Sequence, residues 1–165
     1  MRWTELDSGT CSLARTLEIV GQRWTLLVLR DLFNGICRFD DLADHLGIAR
    51  NVLAIRLALL TETGLAERVP YRQPGRRARH EYRLTGTGLD LCTVMVAFAE
   101  WGDRHLAGPA GPPARFEHRG CGAPVRAALL CDQGHLLTPS DRVRSRPGPG
   151  ARPNVTPAAR PSRQR

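Results

Sequence analysis

The stretch DDLADHLGIARNVLAIRLALL, Asp40 to Leu60, continued by TETGLAERVPYRQPGRRARHEYRL, Thr61 to Leu84, decides the fold. It predicts a short helix over Asp40–Leu46, a tight turn at Gly47 and a second helix over Arg50–Leu60. Gly64-Leu65 ends that helix, and two short strands follow, joined by an arginine-rich loop. Two helices crossing steeply through a glycine turn are suited to placing the end of the second in a DNA major groove. The basic hairpin behind them adds a second contact to phosphate. The expected class is mainly α with a small β-hairpin wing (α+β), a winged helix-turn-helix.

Working outward, Leu13, Leu17 and Val20 have the spacing of one helical face, broken at Gly21. Trp24–Phe33 predicts a second, mostly buried helix, and Ile36–Phe39 a short strand. The wing strands are expected at Ala66–Val69 and Arg79–Leu84, with Pro70, Pro74 and Gly75 marking the loop between them. Thr85 is the expected N-cap of one long helix reaching about His105. The apolar positions of that helix cover more than one stripe, and the surplus suggests a second surface, most simply a dimer partner. Residues 107–115 (with AGPAGPP) read as a linker, residues 116–141 as a small Cys/His-containing segment, and residues 142–165 as a disordered Arg/Pro-rich tail.

The formal charge of +8 points to a polyanionic partner, but its distribution is more informative than its total. All 24 basic residues are arginine, and seven of them lie after Asp141, where there is no acid. Residues 1–141 are therefore close to neutral. Within that body, Ala66–Leu84 holds six arginines against two glutamates, so positive potential gathers in the hairpin. No apolar run approaches the roughly 18 residues of a membrane span. The opening MRWTELDSG lacks the pattern of a secretion signal, and the expected location is cytoplasmic, at the nucleoid.

With Leu53 at the centre of the buried face of the second helix, Leu57 and Leu60 fall beside it. Its outer face then carries Asn51, Ala54 and Ile55, flanked by Arg50 and Arg56. Asn51 suits adenine, Arg50 or Arg56 suits guanine or phosphate, and Ala54 or Ile55 suits a thymine methyl. Arg56, nearer the core side, has a second reading: an internal ion pair with Asp40, Asp41 or Asp44. In the wing, Arg72, Arg76, Arg77 and Arg79 are expected on phosphates or in a narrow minor groove, positioning more than reading. Arg68 and Arg83 have a plainer reading as partners of Glu67 or Glu81.

Residues 11–106 resemble the HxlR-type transcriptional regulators, a MarR-like branch of winged-helix proteins. The matching landmarks are Cys11, IVGQRWTLLVLRDL (Ile19–Leu32), Arg38-Phe39 and NVLAIRL (Asn51–Leu57). They continue with TGL (Thr63–Leu65), EYRLTGTG (Glu81–Gly88) and AEWGDRHL (Ala99–Leu106). The resemblance implies a homodimer whose first and last helices pack between subunits, binding double-stranded DNA at an inverted repeat. Two departures stand out. Ala49 replaces the usual Ser or Thr cap, a loss on the order of 1 kcal/mol unless another residue substitutes. Ala54 and Ile55 replace polar side chains, so the operator cannot be borrowed from relatives.

Five cysteines in a chain expected to be cytoplasmic argue for thiols or metal ligands over a disulfide framework. Cys11 opens a helix, where free N–H groups lower a thiol pKa, and some HxlR-type proteins sense oxidants or electrophiles with the cysteine at this position. Its plainer reading is a half-buried small residue. Cys37 and Cys92 read as core. His118 with Cys121 and Cys131 with His135 have spacings compatible with zinc, although Gly134 stands where a second cysteine would complete a CxxC pair. A degenerate zinc ribbon without metal is equally consistent. No nucleophile–base or carboxylate pair suggests an enzyme. The leading expectation is a sequence-specific transcriptional regulator, and the alternative is a winged-helix protein- or RNA-interaction module without operator specificity.

Overall fold

The computed structural model describes residues 2–72, 79–138, 141 and 143–154. Four helices precede the wing: α1 (Ser12–Val20), α2 (Arg23–Phe33), α3 (Phe39–Leu46) and α4 (Arg50–Glu62). The hairpin strands β1 (Ala66–Tyr71) and β2 (Arg79–Leu84) pair antiparallel, Ala66 opposite Leu84 and Tyr71 opposite Arg79. Two helices, α5 (Gly86–Leu89) and α6 (Cys92–His105), follow, and then a small hairpin of β3 (Leu129–Leu130) and β4 (Leu136–Leu137). This is the α+β winged helix-turn-helix that the sequence predicts.

The core forms where the apolar stripes of α2, α3 and α4 meet. Val28, Leu29, Leu42, Leu53, Leu57 and Leu60 are all buried there, and Leu65 and Ala66 close it from the base of the wing. Leu53, Leu57 and Leu60 are the stripe expected for α4. The turn between α3 and α4 depends on Gly47, whose φ of 59° lies in the left-handed region that a side chain strains. Ile48 N–H then donates back to Ala43 O and sends the chain into α4.

One buried acid fastens the helices. Asp31 on α2 is almost fully enclosed and accepts from Arg30 at 2.8 Å, with His45 Nδ1 of α3 at 2.6 Å. A carboxylate this buried keeps its place through such partners, since an unpaired buried charge is strongly unfavourable.

Three details differ from the sequence expectations. The strand expected at Ile36–Phe39 is a single bridge, Arg38 opposite Glu81, because Phe39 already begins α3. Strand β1 runs on through Pro70 to Tyr71, which a two-stranded ribbon tolerates because both strands are edges. The long helix expected from Thr85 is broken. Thr85 does cap a helix, accepting from Gly88 N–H at 3.2 Å, but α5 ends at Leu89 and α6 starts at Cys92. Gly88 packs closely here, where a Cβ would lie 2.0 Å from Leu65 O. The chain is pressed against the end of α4 before it turns into α6.

Beyond α6, Ala127 N–H donates to the Glu100 carboxylate at 3.2 Å and ties the small C-terminal hairpin to that helix. Residues 152–154 run beside the N-terminal segment, with Asp7 N–H donating to Arg152 O at 2.9 Å and Asn154 N–H to Glu5 O at 2.6 Å. The rest of the predicted tail, residues 155–165, lies outside the described residues.

Candidate nucleic-acid interface

Because α4 buries Leu53, Leu57 and Leu60, its opposite face presents Asn51, Ala54 and Ile55 to solvent. Ile55 is 57% exposed, an apolar side chain standing alone on an outer face. No side chain caps the first turn of α4: Ala49 takes the cap position and makes no side-chain bond. The sequence departure at Ala49 therefore leaves the first N–H groups of this helix without a side-chain acceptor.

Arg50 and Arg56 divide differently from the sequence reading. The internal ion pair forms at Arg50, whose Nη2 is 2.5 Å from Asp40 Oδ1 and whose guanidinium stacks 4.9 Å from the Phe39 ring. Arg56 makes no ion pair among the described residues, and its Nε is buried without a hydrogen-bond partner. Wheel position alone offers Arg56 an internal ion pair and a phosphate equally, and offers Arg50 no such pair. The signal it lacks is that Asp40, in the first turn of α3, sits beside the first residue of α4.

Asp40 also receives Arg79 of the wing, Nη1 to Oδ2 at 3.4 Å. The Arg50 guanidinium beside it, helped by Arg79, holds the Asp40 carboxyl below its ordinary range, so it is ionised at neutral pH. Around this junction lies a cleft of about 520 Å³ between α3 and the wing. Arg38, Arg50, Arg68 and Arg79 line it together with aromatic residues, among them Tyr71, over whose ring Arg38 stacks at 4.9 Å.

Arg38 is absent from the expected contact residues, and Arg68, expected beside Glu67 or Glu81, meets His80 instead. Register supplies the missing signal for Arg68: it lies opposite Tyr82, two residues from His80, whose Nδ1 is 3.1 Å from its Nη2. Arg83 takes the plainer role expected of it, donating to Glu81 at 2.8 Å. Arg72 is exposed at the end of β1, and Arg76 and Arg77 lie outside the described residues.

The cysteines separate by environment. Cys37 sits 3.6 Å from Glu81 Oε2, and burial, reinforced by that carboxylate, pushes its thiol up, so it stays protonated. Cys11 takes the N-cap position of α1 and is half-buried, whereas Cys92 is exposed and not core. In the C-terminal segment His118 Nδ1 approaches Cys121 Sγ at 3.3 Å, and Cys131 N–H donates to His135 O across its own turn. The two pairs do not converge: among the described residues no three His, Cys, Asp or Glu side chains gather where they could hold a metal.

A further exposed apolar surface lies on α6 and α1. Helix α6 is fourteen residues long, and Val96 is its one buried residue. Phe98 and Trp101 are both more than half exposed one helical turn apart, as is Leu13 on α1. No helix among the described residues is long and apolar enough to cross a membrane.

The model of the HxlR-like helix-turn-helix family matches residues 19–109. The uncharacterized HTH-type transcriptional regulator Rv3095 of Mycobacterium tuberculosis is 46% identical over 140 residues, 84% of this chain and 87% of that protein. The crystal structure of PA1607, a candidate transcription factor, is similar at a TM-score of 0.71 and 35% identity, covering 83% of this chain and 95% of that one. The redox regulator HypR in its oxidized form is similar at a TM-score of 0.53 and 25% identity, over 59% of this chain and all of that one. Helix-turn-helix, wing and flanking helices thus agree with the family match, and the chain belongs to the HxlR-like helix-turn-helix family of transcriptional regulators.

Proposed function

We propose that the protein binds an inverted-repeat operator as a homodimer, with α4 in the major groove of each half-site and the wing on the flanking backbone. The observation that carries this reading is the outer face of α4, where Asn51, Ala54 and Ile55 stand exposed beside an arginine-lined cleft. Asn51 suits an adenine edge, and Ala54 and Ile55 suit thymine methyls. In the free protein Arg50 is drawn to Asp40, whereas Arg56 forms no ion pair among the described residues and suits a guanine or a phosphate. Arg72, Arg76, Arg77 and Arg79 serve phosphates or the minor groove.

The dimer rests on α6. A fourteen-residue helix with one buried side chain is marginal by itself, and Phe98 and Trp101 give it a face to bury. Helix α1 contributes Leu13 and Leu17.

Selection from a randomised duplex pool, followed by anisotropy titration across salt, tests the reading. A palindromic consensus is expected, with log affinity falling against log salt at a slope of roughly −0.9 per phosphate contacted. Weak binding without sequence preference would instead favour an RNA- or protein-interaction module.

Cys11 is assigned as a thiol sensor in the same scheme. It opens α1, whose exposed Leu13 and Leu17 belong to the dimer face, so its oxidation is felt at the subunit contact. The likeness to the redox regulator HypR supports the assignment. Cys11→Ser is expected to leave operator affinity unchanged under reducing conditions and to abolish its loss on adding diamide or hydrogen peroxide. An unaltered oxidant response in this variant would move the sensing elsewhere.

A further inference from the structure

Arg50 and Arg79 belong to different elements, one at the start of α4 and one at the loop end of the wing, yet both reach one carboxylate. Each oxygen of Asp40 faces a different guanidinium, Oδ1 to Arg50 and Oδ2 to Arg79. A phosphodiester presents the same chemistry, a single negative charge spread over two oxygens. Arg38 and Arg68 line the same cleft. Two of its four arginines are already oriented by stacking, Arg38 on Tyr71 and Arg50 on Phe39. Little ordering is left to be done when an anion arrives.

We infer that this cleft is a seat for a phosphodiester of the DNA backbone, and that Asp40 fills it in the free protein and yields it on binding. The inference rests on the operator reading above and adds to it a site and a gatekeeper. The displacement is feasible because the pairs are loosely held. Asp40, Arg50 and Arg79 are each at least half exposed, the range in which ion pairs contribute little. It also has a consequence. Any duplex must evict Asp40, whereas only the operator gains the base contacts of α4 that offset the eviction. Asp40 therefore weakens both by the same factor, which leaves random DNA unbound at protein concentrations that still fill the operator.

Asp40→Asn keeps the shape of the side chain and removes its charge. Asp41→Asn removes the same charge one residue later, on a side chain that lines the same cleft and forms no ion pair among the described residues. The full chain and both variants are titrated by anisotropy against a random duplex and the selected operator across salt. Asp40→Asn is expected to tighten random-duplex binding about 10-fold and to steepen its salt dependence by about one ion. Operator binding should tighten by a similar factor, so that the operator-to-random ratio holds. Asp41→Asn should shift random-duplex affinity by less than about 3-fold.

Equal effects of the two substitutions would reduce Asp40 to bulk charge and overturn the inference. So would weaker binding of Asp40→Asn to both duplexes with unchanged circular dichroism, since Asp40 would then be supporting the reading surface. If the unaltered protein preferred no operator, the operator reading would fall, while the random-duplex comparison would still decide the phosphate seat.

Discussion

Phe98→Asp is expected to leave the protein monomeric and to weaken operator binding more than about 100-fold, because two linked half-sites gain 10²–10⁴ over one. In a single chain Phe98 is 57% exposed and contributes little to the fold, so the substitution leaves the core of α2, α3 and α4 untouched. In the proposed dimer the same position is covered, and a carboxylate there loses its water without gaining a partner. Trp101, one turn further along α6, should behave in the same way as Trp101→Asp. Analytical ultracentrifugation gives the mass, and anisotropy gives the affinity on a full palindrome and on an isolated half-site. The half-site affinity should barely change. A variant that remains dimeric would show that Phe98 lies outside the subunit contact.

The second large effect separates the two faces of α4. Leu53 is fully buried and packs in the central cluster, whereas Ile55 two residues later is mostly exposed. Leu53→Ala should lower the unfolding free energy by about 3 kcal/mol, within the range for buried leucines, because the cavity it leaves is only partly refilled. Against a total of about 10 kcal/mol, that is a serious loss. Ile55→Ala should change stability by less than about 0.5 kcal/mol, as surface substitutions do. It should nonetheless reduce operator affinity by about 1–3 kcal/mol if Ile55 meets a thymine methyl, and leave random-duplex binding alone. Urea unfolding and anisotropy measure the two quantities independently. Should Ile55→Ala prove neutral on the operator, its exposure would have another cause.

How far the sequence could be read depended on the range of the interactions involved. Helices α3 and α4 and the turn between them were legible because the period of Leu53, Leu57 and Leu60 and the glycine at position 47 are local signals. The break between α5 and α6 was not, nor was the approach of Gly88 to Leu65 O beside it, a contact between segments far apart in the chain. The same holds for the site. Helical periodicity placed Asn51, Ala54 and Ile55 on the outer face of α4. It says nothing of which helix-start acid meets which arginine, so an ion pair is offered to Arg56 as one of two readings and is missed at Arg50. Arg38 and Arg68 became visible only once the hairpin register and the start of α3 had been brought to the same cleft.

The joint behind α4 has a mechanical meaning. Thr85 N–H donates to Leu65 O at 3.1 Å and its hydroxyl to Gly64 O at 2.6 Å, while Gly88 is pressed against the same carbonyl that Thr85 binds. The residues that finish α4 and those that lead into α6 are thus pinned within one turn of each other. A pivot so short transmits rotation with little slack. In a dimer built on α6, a small twist between subunits would swing both reading heads, and the tolerated separation of half-sites along the DNA would be narrow.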